Sequence, residues 1–261
     1  MPARLLIHET IATLPWTVPL AEGWIALPEG LEVERRAILT SGEVGPNDAA
    51  LLPAPEAARL IGTHVIVPSA AAVFENEGPV ALRTPVRPDE VARTTVRLID
   101  CSSAGEILAR GLLHSFYGIE ASGFTRDADP DAQVIVVEGA EALRPIEAGF
   151  SEDLTRAWHI FTNLPFVSHV LVAPNASALA DLAPVVALLG ACQHMGEERR
   201  REWRQPFCER ESISRDRLDA LLGSMRHSLA PEDGKALTAL LSHGGKGTEY
   251  PFKPAWKFFG A

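Results

Sequence analysis

The stretch that decides the fold is Thr95–Gly118, TVRLIDCSSAGEILARGLLHSFYG. The β-branched and apolar residues Thr95, Val96, Leu98 and Ile99 lead to Asp100, which predicts a strand. Cys101-Ser102-Ser103-Ala104-Gly105 then forms a turn of small residues. Ile107, Leu108, Leu112 and Phe116 follow at helical spacing, with Gly118 as the C-terminal stop. Ser103 and Glu106 stand at the spacing of a capping box, in which each side chain satisfies a free amide of the first turn. Amides at a helix start, flanked by two hydroxyls and no bulky side chain, also suit an anion such as a carboxylate. An ordinary strand–turn–helix crossover reads the same way, so the rest of the chain has to decide.

Working outward, the chain has 261 residues, of which 46% are hydrophobic and 22% charged, as in ordinary globular proteins. That length allows one large domain or two moderate lobes. A net charge of −10 argues against non-specific binding to nucleic acid or to an anionic membrane. It leaves room for a small anion held by a local nest of amides. Cys101, Cys192 and Cys208 are far apart and odd in number, so neither a disulfide framework nor a paired-cysteine metal motif is expected. The N-terminus enters a strand at Ala3–Ile7 without a basic leader and long apolar segment, and no apolar run approaches about 18 residues. The expectation is a cytoplasmic protein.

In chain order, the first strand is followed by a polar loop, His8-Glu9-Thr10-Ile11-Ala12-Thr13-Leu14-Pro15, where open α/β sheets place ligands. Thr13 before Leu14-Pro15 also fits a plain helix cap. Strands are expected over 31–39, 48–55, 65–68, 80–84, 133–137 and 164–173, with short helices over 56–60 and 153–161. Phe74-Glu75-Asn76-Glu77-Gly78-Pro79 has the polar, Gly- and Pro-punctuated texture of a hinge loop. From Pro174 the texture turns helical, over 177–189, 197–204, 214–222 and 231–241, with Gly244 closing the last. The aromatic, proline-rich tail Tyr250–Phe259 is expected to lie across the body, since so many rings are costly in water. Alternation of strand and helix to about residue 173, with returns through 78–84 and 164–173, predicts an α/β chain of two lobes joined by two crossings.

Familiar catalytic signatures are missing. The eight histidines form no H-x-x-x-H or H-E-x-x-H pair, so no metal site is expected. No G-x-S-x-G elbow or post-strand G-x-G-x-x-G occurs, and His243–Thr248 follows a helix with the wrong spacing for a phosphate loop. The run Glu197–Arg204 reads as a solvated helix face.

The order of segments resembles the MqnA/MqnD family of the futalosine route to menaquinone. Ile11-Ala-Thr-Leu-Pro15 is similar to that family's first-strand loop, and Asp48-Ala-Ala-Leu-Leu-Pro53-Ala-Pro-Glu56 to its second-strand segment. Gly78–Leu82 with Val86–Val91 resembles the strand entering the second lobe. Ile99-Asp-Cys-Ser102-Ser103 resembles the aspartate–serine helix cap, and Asp153–Trp158 through Asn163-Leu-Pro-Phe166-Val the D-L-x-x-x-W…T-G-L-P-F segment. The helical finish, Ile213 through Glu232, is similar too.

The resemblance implies the two-lobed type II periplasmic-binding-protein fold, with residues 1–77 plus 174–261 as one lobe, 78–173 as the other, and a ligand cleft between them. It implies a small carboxylate-bearing ligand and no cofactor. In the dehydratase branch chorismate loses water to give 3-[(1-carboxyvinyl)oxy]benzoate; in the other branch a cyclic futalosine derivative is cleaved to dihydroxynaphthoate. Ser102 and Ser103, with the amides of Ala104 and Gly105, would bind the carboxylate, and Thr10 and Thr13 would face the cleft. Asn76 and Asn163 join them as polar candidates. The chain departs from the pattern at Ala12, where the family has an asparagine, and at Pro79, where a polar residue is common. Glu9 and His8 are therefore the candidate bases. A lyase is the reading preferred; a binding-only protein of the same fold, monomeric or homodimeric, is the alternative.

Overall fold

The computed structural model describes residue 2 and residues 4–260, so Ala3 of the expected first strand lies outside the described residues. The chain opens with β1 (Arg4–His8), α1 (Leu14–Ala21), β2 (Glu32–Arg36), β3 (Ala49–Pro53), α2 (Ala54–Arg59) and β4 (His64–Phe74). It then crosses to β5 (Val80–Thr84), β6 (Arg93–Ile99), α3 (Ser103–Leu113), β7 (Glu120–Thr125), β8 (Val134–Glu138), α4 (Ala140–Leu143), β9 (Phe150–Asp153) and α5 (Leu154–Thr162). It returns as β10 (Phe166–Pro174), α6 (Leu179–Glu198), α7 (Arg200–Glu211), α8 (Arg215–Ser224), β11 (Met225–Arg226) and α9 (Asp233–Gly244).

Two mixed sheets result, in the orders β11-β4-β10-β3-β1-β2 and β7-β6-β8-β5-β9. The centre of the first is β3 and β10, AALLP and FVSHVLVAP, apolar runs buried almost end to end because both faces are covered. Its edge strand β2, EVERR, is half-exposed, and its charges discourage pairing with another chain. The two crossings lie side by side, because β4 and β10 pair antiparallel, with Phe166 opposite Phe74 and the rings stacked at 6.4 Å.

The C-terminal helices touch both sheets' layers. α6 packs along α1, whereas α9 packs on α3, where Gly244 is required because a Cβ would overlap the Ile107 carbonyl oxygen. The tail does cross the body: Ile66 N–H donates to Lys257 O at 2.8 Å and Phe259 N–H to Ile66 O at 2.8 Å.

Several local expectations need correction. α3 ends at Leu113, and His114–Gly118 is a set of turns closed by Gly118 at φ +73, leaving Phe116 partly exposed. α6 is one helix from Leu179 to Glu198, broken from α7 only at Arg199, so Gly190 does not stop it. By length and composition α6 is apolar enough to cross a membrane, with a mean hydropathy of 1.3, because Asp181 is its sole charged residue before Glu197. α9 starts two residues after Pro231. β7 and β9 were unexpected: EASGFT is poor in apolar residues, and FSED is only four residues long.

Candidate functional site

Polar residues end strands of both sheets, and α2 of the first sheet's layer packs against α3 of the second's. On the first sheet, β1 ends at His8, 6% exposed, and β10 carries Ser168 and His169, both fully buried. His8 Nδ1 lies 2.9 Å from His169 Nε2, His8 Nε2 lies 3.1 Å from Ala37 O, and Ser168 Oγ lies 2.5 Å from His169 Nδ1. One assignment of protons satisfies them all. Ser168 O–H donates to His169 Nδ1, His169 Nε2–H donates to His8 Nδ1, and His8 Nε2–H donates to the Ala37 carbonyl. Burial lowers the His8 pKa and pushes that of His169 well down, so both rings are neutral.

That chain uses both nitrogens of His8, which leaves it no lone pair with which to act as a base. Glu9 is half-exposed and paired with Arg35 at 2.7 Å. Thr13, also fully buried, donates from its hydroxyl to His8 O at 2.6 Å and accepts from Thr10 N–H at 3.0 Å, so it closes the loop. The Thr10 hydroxyl is buried and has no partner among the described residues. Ala12 is buried and adds no polar group.

On the second sheet, β6 delivers Cys101–Ser103 and β8 delivers Glu138. The helix cap is Ser102: its Oγ accepts from Gly105 N–H at 3.2 Å. The expected capping box of Ser103 and Glu106 therefore does not form, and Glu106 instead pairs with Arg110 at 2.9 Å and Arg126 at 3.2 Å. A carboxylate does sit on the α3 start, but it belongs to the chain itself. Glu138 accepts from Ser102 N–H at 2.6 Å through Oε2 and from Ser102 Oγ–H at 3.0 Å through Oε1. Gly105 is needed here, since a Cβ would overlap Glu138 Oε2. Burial pushes the Glu138 carboxyl up to about 7, against the Ser102 bonds and the Arg126 charge. The Cys101 thiol is buried and pushed well above its ordinary value, which makes it inert.

The outer half of the α3 start is differently placed. The Ser103 hydroxyl oxygen is buried, and among the described residues the N–H groups of Ser103 and Ala104 make no bond. The Ser103 hydroxyl is hydrogen-bonded to the phenol of Tyr250, which reaches in from the tail. Tyr250 O–H donates to Glu56 Oε1 at 2.6 Å, and Glu56 Oε2 accepts from Ser41 N–H at 2.8 Å. Burial and the Glu56 carboxylate push the phenol up, so it stays protonated.

The two asparagines are not part of this group. Asn76 is exposed in the crossing between β4 and β5. Asn163 adopts φ +55 at the far end of α5 and stops that helix. The near end of α5 is capped by Asp153, whose carboxylate accepts from Thr155 N–H at 2.7 Å, Arg156 N–H at 3.0 Å and Gly78 N–H at 3.0 Å. Burial raises the Asp153 carboxyl to about 6. Glu138 and Tyr250 belong to no motif, and Glu56 ends the quoted second-strand segment without standing out as a candidate; an acidic residue ending an apolar run is the one signal for Glu138. A separate cavity of about 470 Å³ lies among α1, α6, α7, α8 and β11, lined by Pro15, Trp203, Arg204, Met225 and His227 among others.

A family model described as menaquinone biosynthesis matches residues 41–246. No curated protein matches the chain significantly. Among solved structures, the chain is similar to protein AF1704 from Archaeoglobus fulgidus, at 12% identity and TM-score 0.67, over 93% of this chain and 96% of that one. It is similar to the periplasmic aliphatic sulphonate binding protein SsuA from Escherichia coli, at 12% identity and TM-score 0.63, over 95% and 94%. The Candida albicans CA3427 gene product, described as having the generic periplasmic binding protein fold, matches at 11% identity and TM-score 0.51, over 90% and 84%. At such identities the likeness is one of fold, and it agrees with the two sheets and paired crossings described above.

Proposed function

The chain belongs to the menaquinone biosynthesis family, and from that premise we propose that it is a lyase that removes water from chorismate to give 3-[(1-carboxyvinyl)oxy]benzoate. In that reaction a proton leaves the ring carbon that carries the enol ether and hydroxide leaves the neighbouring carbon. The ring becomes aromatic and water is the only other product. The observation that carries the reading is the start of α3, where the N–H groups of Ser103 and Ala104 make no bond among the described residues. Free N–H groups at a helix start suit an anion, and a ligand carboxylate would satisfy them.

In this reading Ser103 Oγ–H and the N–H groups of Ser103 and Ala104 hold a substrate carboxylate, aided by the helix dipole. The Thr10 hydroxyl, without a partner among the described residues, serves the first-sheet side. Their contribution is to fix the ring and to stabilise charge as the proton leaves. His8 and Thr13 shape the loop without touching the substrate. Ala12 supplies no donor where the resembled dehydratases carry an asparagine, and that favours binding without turnover as the second reading.

The test is to incubate the purified protein with chorismate, follow substrate and product by mass spectrometry, and record the thermal shift. Loss of one water to the enolpyruvyl benzoate is expected. A thermal shift with chorismate intact would establish the binding-only reading instead.

A further inference from the structure

We infer that the C-terminal tail is a strap that latches the first sheet's layer to the second's through the Tyr250 phenol, and that the α2–α3 contact opens only when that phenol lets go of Ser103. The inference stands apart from the chemistry proposed above and involves no ligand.

The strap is anchored at both ends. At its root α9 ends on α3, where Gly244 meets Ile107, and the chain turns through Gly247 at φ +77 with Thr248 O–H donating to Gly245 O at 2.7 Å. At its far end β4 takes the tail alongside Ile66 in parallel, through Lys257 O and Phe259 N–H at 2.8 Å each. Phe258 lies against Gly234 at the start of α9. Between these anchors Pro251 and Pro254 fix φ and carry no N–H, so the span is stiff.

Tyr250 is where the strap touches both layers. Its O–H donates to Glu56 Oε1 of α2 at 2.6 Å, and its oxygen is hydrogen-bonded to the Ser103 hydroxyl of α3. The phenol proton is committed to Glu56, so the second bond is one that Ser103 donates. Glu56 is 4% exposed, and its other oxygen accepts from Ser41 N–H at 2.8 Å, which holds the carboxylate in place. Arg59 of α2 lies 5.9 Å from the centre of the Tyr250 ring and pairs with the neighbouring Glu249. The ring is thus tied to α2 by several contacts and to α3 by the Ser103 bond, which makes that bond the releasable one. Ser103 and Ile107 are one helical turn apart, so the latch sits one turn from the Gly244–Ile107 contact that serves as its pivot. Elsewhere α4 stays tied to α7 and α8, through Arg144 to Glu211 O and Arg217 to Leu143 O at 2.8 Å each. Anything that takes the Ser103 proton instead of the phenol releases the latch.

The experiment is amide hydrogen exchange, followed by mass spectrometry, on the whole protein without ligand. The wild type is compared with Tyr250→Phe, which keeps the ring, with Ser103→Ala, and with both changes together. Exchange over residues 105–108 of α3 should rise by about two- to tenfold in each single variant, the worth of one hydrogen bond, with β3 and β10 unchanged. The double variant should show no further rise, because both changes break the same bond. Unchanged exchange over 105–108 in either single variant, or rises that multiply in the double, would overturn the inference. So would a uniform rise that includes β3 and β10, which reports lost global stability. The two changes lie on different elements, so if one variant fails to fold the other decides.

Discussion

The strand ends of the two sheets present buried titratable groups of opposite kinds, and the contrast separates scaffold from site. On the first sheet, His8 and His169 are joined in a hydrogen-bonded chain that begins at Ser168 and ends on the Ala37 carbonyl. Every ring nitrogen is used. On the second sheet, Glu138 is satisfied by Ser102, but the adjacent N–H groups of Ser103 and Ala104 make no bond among the described residues. A closed chain of neutral groups rigidifies a loop; a half-filled helix start leaves a place for something from outside. The residues that sequence reasoning offers as bases fall on the finished side, and the residue that titrates near neutrality falls on the unfinished one.

The largest effect should come from breaking the finished side. His169→Ala removes a fully buried ring and strands both Ser168 and His8 Nδ1, so we expect a loss of about 3–5 kcal/mol in urea unfolding. A loss below about 1 kcal/mol would mean that the chain of rings does little for the fold.

Next is Glu138. Its folded pKa of about 7 lies above the ordinary 4.5, so its contribution is fully present below pH 4.5 and is lost as pH rises through 7. Glu138→Gln keeps the shape without the charge. Near pH 8 it should be more stable than the wild type by on the order of 3 kcal/mol, and the advantage should vanish near pH 4. Equal stabilities at both pH values would contradict the buried-carboxyl account.

The imidazoles predict the reverse slope. Both are depressed in the folded state, so their contribution is present above about 6.5 and is lost as pH falls below it. Each should steepen acid destabilisation by about 1.4 kcal/mol per pH unit. His169→Gln should flatten the curve by one proton's worth, measured as melting temperature against pH.

Much of the architecture was legible in the sequence, and the reasons are local. Asp153 before Leu154 and the hydroxyl-rich turn before Ala104 announce helix starts through their own side chains. The buried runs of β3 and β10 and the Gly-Pro crossing at residues 78–79 are visible as texture. The site was legible only in part. Ser103 is singled out by its place in the turn, but the cap falls on Ser102, because the rival acceptor, Glu138, lies 36 residues away. His8 and His169 meet across 161 residues, and Tyr250 and Glu56 across 194. Pairings at that separation are fixed by sheet order and by the course of the tail, which no local spacing encodes.

The smallest effect on stability and the largest on function should fall on the same residue. Ser103→Ala removes a hydroxyl whose partner, the Tyr250 phenol, keeps its bond to Glu56, so it should change stability by less than about 1 kcal/mol. Ser168→Ala, on the finished side, should destabilise by about 1–3 kcal/mol. The decisive measurement is kcat/KM for chorismate dehydration in these two variants beside the wild type, with unfolding followed on the same samples. The account predicts at least about a tenfold loss of kcat/KM in Ser103→Ala with its stability intact, and near wild-type kcat/KM in Ser168→Ala below its lowered melting point. Wild-type turnover in Ser103→Ala, or chorismate left unchanged by stoichiometric wild-type protein, would contradict it.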